Sequence, residues 1–211
     1  MAERLPPQTR DSLSGPEQDG FDSITSLAST LFGDPKSSPF VYARPSDGAL
    51  VGPMPFFLAS PQAGEHVMGL FGKLGQIPGL PAEAKEVAIL TVGAHHQAAY
   101  ELYAHTRVAT KKAGMDEVVV EAIARGEKPS PNELSEAGSV AFDVARYLVS
   151  KPGPLPKELW DRAIEAFGNE GTVALVHYVG AYAYTCVILN AMDAPVPEDQ
   201  THKLLESRAA A

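Results

Sequence analysis

Residues 80–114 read "LPAEAKEVAILTVGAHHQAAYELYAHTRVATKKAG", and this stretch decides the fold. Strong helix formers run through it, no proline falls inside after Pro81, and Lys111 and Lys112 precede Gly114 as a helix C-terminus requires. The pattern predicts helix throughout, with a break near Gly93. Outward from it, "SPQAGEHVMGLFGKLG" (60–75) opens with a Ser-Pro entry and spaces Val67, Leu70 and Phe71 helically. "MDEVVVEAIARG" (115–126) reads as a short helix, and "SPNELSEAGSVAFDVARYLVS" (130–150) as one opened by a Ser130–Glu133 capping box. "PKELWDRAIEAFG" and "NEGTVALVHYVGAYAYTCVILNAMD" add two more (156–168 and 169–193), with Trp160 as a core anchor. No convincing strand and no repeat is found. The expectation is an all-α domain spanning 21–195.

Upstream, residues 1–20 are polar and proline-bearing and read as a flexible arm, with no apolar core of a signal peptide. "FDSITSLASTLFG" (21–33) predicts a helix capped by Asp22 or Ser23. Residues 34–60 carry prolines and glycines too often for a regular element. Phe40, Val41, Tyr42, Met54, Phe56 and Phe57 still need burial, so this predicts a long ordered loop walling a pocket or a subunit interface. Residues 196–211 read as a C-terminal tail.

Composition narrows the function. The 211 residues carry a formal net charge of -9, and no basic block counters it, which argues against nucleic acid as a partner. The single cysteine, Cys186, rules out an intrachain disulfide or a Cys-x-x-Cys pair and reads as a small buried hydrophobe. The apolar run from Val173 to Met192 approaches membrane-spanning length but contains His177, tyrosines and Asn190. A buried central helix is the better reading, with no membrane partner and a cytoplasmic location expected. Phosphate-loop, dinucleotide and nucleophile-elbow glycine patterns are absent, so no cofactor is expected.

The chemistry concentrates in "HHQAAYELYAH" (95–105). Treated as one helix at about 100° per residue, Glu101 lies about 40° from His105, Ala98 about 20° and His95 about 80°. His96 points about 180° away. Glu101 and His105 thus form an i,i+4 pair able to share a proton, with small Ala98 leaving room for a ligand. Such a pair is either an acid–base site or a satisfied polar pair at a helix or subunit seam. A metal reading, with His95, His66 or His177 completing the ligands, lacks any pair of histidines at ligand spacing on a helix. His177 is either a buried structural histidine or a pocket residue beside His105, with Tyr178 or Tyr182 as phenol donors.

The stretch "LPAEAKEVAILTVGAHHQAAYELYAHTRVATKKAGMDEVVVEAI" resembles the carboxymuconolactone decarboxylase / alkylhydroperoxidase D superfamily, and "VALVHYVGAYAYTCVILNAMDAPVPE" resembles the last helix and tail of its cysteine-free members. The pattern of the redox members is a Glu, eleven residues, then Cys-x-x-Cys-x-x-x-His. It falls on Glu86, Ala98, Glu101 and His105. Both cysteines are replaced, so disulfide-based peroxide reduction does not carry over. The resemblance implies an alkylhydroperoxidase D-like helical fold, a homo-oligomer and a site of Glu86, Glu101 and His105. On one straight helix Glu86 would lie about 22 Å from Glu101, so the resemblance also implies a turn near Gly93–Gln97. The functional expectation is a cofactor-free lyase or isomerase acting on a small cyclic molecule, with His105, Glu101 and Glu86 catalytic. Around them His177, His95, Tyr178, Tyr182 and Ala98 would bind substrate. The alternatives are a non-catalytic ligand-binding or structural oligomer and a metal-dependent enzyme.

Overall fold

A computed structural model describes residues 4–197, and among them the regular structure is helical apart from a single isolated bridge between Ala43 and Leu50. In chain order the helices are α1 (Gly15–Phe32), α2 (Met54–Leu58), α3 (Pro61–Leu74), α4 (Ala82–His96), α5 (Ala99–Lys111), α6 (Glu117–Ala124), α7 (Glu136–Ser150) and α8 (Lys157–Met192).

The decisive stretch is two helices. The break falls at Gln97–Ala98, four residues past Gly93 and at the far end of the Gly93–Gln97 range implied by the family resemblance. Gln97 adopts the left-handed conformation (φ 54°) and closes α4, and Ala98 in extended conformation starts α5. Gly93 stays helical because its missing side chain lets Leu102 of α5 pack close: a Cβ there would lie 3.1 Å from Leu102 Cδ2. The glycine serves the packing of the two helices against each other, while a non-glycine residue makes the turn.

Two apolar clusters organise the chain. The first joins α4, α6, α7 and α8 through Val87, Leu90, Ile123, Phe142, Val144 and Leu175, all buried. At its edge the backbone N–H of Ser135 donates to Glu83 at 3.0 Å, fastening the start of α7 to α4. Helix α7 begins at Glu136 under a Ser135 cap. The Ser130–Glu133 pair expected to open it closes a turn instead, with Ser130 N–H donating to Glu133 at 2.7 Å. Helix α8 covers both expected C-terminal segments and kinks at Gly168, whose φ of 65° only glycine adopts readily. Just beyond, Gly171 lies against the backbone of Gly79, where a Cβ would sit 2.5 Å from the Gly79 carbonyl oxygen. Half of the most apolar window of α8, which is long and apolar enough to cross a membrane, is buried against the other helices. Trp160 on α8 is exposed, not the core anchor expected.

The second cluster joins α1, the following loop, α2 and α3 to Tyr100 and Tyr103 of α5 and to Ile188 and Leu189 of α8. Residues 10–20 depart from the flexible arm expected for 1–20: α1 starts at Gly15, not at Asp22 or Ser23. Ser14 and Glu17 form a capping box around Pro16, and Arg10 grips Asp22 at 2.8 Å. The Ser14-x-x-Glu17 spacing carried this signal in the sequence. Most of the expected tail, from residue 198 on, lies outside the described residues.

Candidate active site

Three helices converge on one polar cluster. Glu86 projects from α4, Glu101 and His105 from α5, and Tyr182 from α8. The turn at Gln97–Ala98 folds α5 back along α4, so residues nineteen positions apart meet. His105 Nδ1–H donates to Glu86 Oε2 at 2.7 Å, and His105 Nε2 lies 3.2 Å from Glu101 Oε1. Both carboxylates are almost wholly buried, at 1% and 4% exposure. The edge of Tyr182 meets His105, with ring centroids 4.9 Å apart and planes at 89°. Tyr178 stacks on Tyr182, and Phe71 of α3 meets Tyr182 edge-on.

The electrostatics follow from this burial. Desolvation pushes the Glu101 carboxyl up to about 7, with His105 pulling it down and the Glu86 charge raising it further. For His105, burial disfavours the imidazolium, but the charge and hydrogen bond of Glu86 and the charge of Glu101 outweigh that and raise its pKa above the ordinary histidine value. With Nδ1 donating to Glu86, Nε2 is left facing Glu101, close enough for a proton to pass between them. Burial, then the two carboxylates, push the Tyr182 phenol well above the usual range, so it stays a neutral donor.

The cluster opens onto a cavity of about 540 Å³. Its polar end holds Glu86, Glu101, His105, Tyr178, Tyr182 and Thr185, and its apolar wall includes Phe32, Phe40, Tyr42, Met54, Phe57 and Phe71. The loop expected to wall a pocket does so through Phe40, Tyr42 and Phe57. It is held in place by two tyrosines of α5: Val41 N–H donates to Tyr103 Oη at 3.0 Å, and Tyr100 Oη donates to the Val41 carbonyl at 2.6 Å. With both backbone groups of Val41 satisfied, its neighbours Phe40 and Tyr42 stay seated against the cavity.

Several expected residues fall elsewhere. His95, in the last turn of α4, is exposed, because the helix on which it was placed beside His105 does not run through Gln97. His177 is also exposed, and neither it nor His95 lines the cavity; the two tyrosines beside it in sequence do. His66 is exposed on α3, so the third ligands considered for a metal lie away from Glu101 and His105. Among the described residues, no group of three or more His, Cys, Asp or Glu is placed to hold a metal ion. Ala98 is fully buried as the residue preceding α5 and packs in the first cluster, so it opens no space above the pair. Cys186 is buried as expected, and burial pushes its thiol up. Sequence reasoning missed Lys85, Met68, Phe71, Tyr100 and Thr185 as cavity residues. Only Phe71 had a signal, its place in the apolar stripe of α3.

No protein-family model matches this chain, and no curated protein does. Its fold is shared with solved structures of the debrominase Bmp8. The apo enzyme superposes with a TM-score of 0.69 over 92% of this chain and 95% of the other, at 15% identity. A cysteine-to-alanine variant in complex with 2,3,4-tribromopyrrole superposes with a TM-score of 0.70 over 98% of both chains, at 15% identity. At that identity the likeness is one of fold.

Proposed function

We propose that this protein is a cofactor-free enzyme of the cysteine-free branch of the carboxymuconolactone decarboxylase / alkylhydroperoxidase D-like superfamily, moving protons on a small cyclic organic molecule. The observation that carries the reading is the Glu86–His105–Glu101 chain opening onto an apolar cavity. A volume of about 540 Å³ suits a small molecule, and an apolar lining with a few convergent polar groups is what such sites present. In this reading His105 is the general acid/base. Glu86 orients its ring and supports its positive charge, and Glu101 supplies or stores the proton at Nε2. The Tyr182 phenol hydrogen-bonds the oxygen on which negative charge develops.

A lactone, phenol or quinone-like acid fits these parts. In decarboxylation the carbon–carboxylate bond breaks, carbon dioxide leaves, the bonding electron pair passes into an enolate, and the proton held by His105 and Glu101 is transferred to the carbon. Cyclisation, dehydration or isomerisation uses the same transfers, as steps of specialised metabolism. The same-fold debrominase captured with a brominated pyrrole is a precedent for a small ring in this scaffold. That captured variant had lost a cysteine, whereas the sole cysteine here is buried in α8 and does not line the cavity. Thiol chemistry therefore has no residue in this site.

The test is a panel of lactones, phenols and quinone-like acids incubated in heavy water, with product deuteration read by mass spectrometry. His105→Asn is expected to lose at least about 100-fold in turnover, within the usual range for a general acid/base. A variant with full activity on whatever the wild type converts would sink the proposal.

The same reading includes a homo-oligomer. Val173, Val176, Tyr184 and Val187 are exposed along one stripe of α8 and support it. Val187→Asp is expected to lower the mass measured by light scattering, and a monomeric wild type would end this part.

A further inference from the structure

The cavity is longer than one ring needs. Along α5 and its C-terminal cap, Glu101, Ala104, His105, Val108 and Lys112 all line it, at offsets that repeat one helix face. From His105 to Lys112 is seven residues, or about 10 Å of helix axis at 1.5 Å per residue. The wall opposite is apolar, built from Leu31, Phe32, Phe40, Met54, Phe57 and Met68.

Two cations line this space, and they differ. The Lys85 ammonium lies 3.6 Å from Glu86 Oε1 and is partly committed to it. Lys112 follows the last turn of α5 and is exposed, and among the described residues no carboxylate lies within ion-pair distance of it. An uncompensated ammonium at one end of an apolar channel, with an acid–base cluster about two turns away along the same helix face, defines the two ends of a ligand. In a chain of net charge -9, attraction for an anion has to come from such a local cation.

We infer that Lys112 is a specificity residue, and that the substrate is an elongated anionic amphiphile. Its ring would meet Glu101, His105 and Tyr182, an apolar chain would run along the Phe and Met wall, and a carboxylate or equivalent anion would reach Lys112. The inference rests on the proton-transfer reading only for which end reacts; the binding geometry stands apart from it.

The probes are ω-phenylalkanoates of increasing chain length and the matching ω-phenylalkanols, titrated calorimetrically into the full-length protein. Carboxylate affinity is expected to rise with length until the chain spans the distance to Lys112, then fall. Lys112→Gln is expected to weaken the long carboxylates about threefold to fivefold, the worth of an exposed ion pair, with the alcohols unchanged. Lys112→Glu is expected to weaken them further. A flat length series, or equal losses for acids and alcohols, overturns the inference. His105→Asn keeps the length dependence if the inference is right, whether or not that variant still turns over substrate. Failure of the chemistry and failure of the ligand assignment are therefore separate results.

Discussion

The α4–α8 bundle and the N-terminal layer each build one side of the cavity, by different physical means. The bundle is periodic: small and branched apolar residues on α4, α7 and α8 interlock, and the polar cluster sits where α4, α5 and α8 leave a gap. In the layer formed by α1, the loop to Pro53, α2 and α3, the loop owes little to regular backbone bonding. Large aromatic side chains hold it, with Phe32, Phe40 and Tyr42 meeting at ring-centroid distances of 5.2–6.2 Å, together with the two tyrosine hydrogen bonds at Val41. Titratable chemistry thus sits on the helices of the bundle, and much of the cavity's shape is supplied by the layer laid against them. The bundle side would set the reaction and the layer would set the molecule.

This division can be broken by comparing substitutions on the two sides. The largest effect is expected for Glu86→Gln, which removes the charge that orients His105 and raises its pKa. Turnover should fall by about 10²- to 10⁴-fold, the cost of disabling an acid–base relay, while KM stays near the wild-type value. The limb of the pH profile that belongs to His105 should move to lower pH, a shift that damage to the fold alone does not produce. On the other side, Phe40→Ala should raise KM several-fold and leave that limb in place. It also deletes a buried ring, at a cost of about 3–5 kcal/mol in unfolding free energy. If Phe40→Ala moved the pH profile, or Glu86→Gln acted only on KM, the two sides would not divide the work in this way.

A smaller effect concerns stability and pH. The Glu101 carboxyl is raised from 4.5 to about 7 in the folded protein, chiefly by burial, so between those values the native state holds a proton that the unfolded chain has released. Folding stability contributed by this group is full below that window and is lost as pH rises through it. His105, also raised, contributes with the same sign: its share is present below its ordinary value and fades as pH climbs. Denaturant unfolding across this range should show a decline on the order of 3 kcal/mol or less. Glu101→Gln cannot titrate and should flatten most of it. An unchanged slope in that variant would mean that Glu101 is ionised throughout.

Legibility in the sequence follows the same division. Helical class, the pairing of Glu101 with His105, the pocket-walling loop and the burial of Cys186 were readable, because each depends on local spacing or on an apolar residue needing cover. The partnership of Glu86 with His105 was expected only through the family resemblance. A helical wheel carries no information about where the chain folds back, and the signal used for a break, Gly93, marked a close helix contact rather than the turn. His95 and His177 show the cost. Each was placed by its neighbours in sequence, yet both face outward, His95 because α4 ends one residue later and His177 because α8 turns Tyr178 and Tyr182 inward instead.

The sequence by itself determined that helices would form, which residues carry titratable chemistry, and that redox thiols are absent. All of these are properties of residue type and of spacing within a few turns. The tertiary structure alone decided that the backbone reverses at Gln97, that two carboxylates from different helices clasp one imidazole, and that tyrosines of α5 pin an irregular segment across the cavity. These depend on contacts between groups far apart along the chain, where packing of whole surfaces, not local periodicity, sets which side chain meets which.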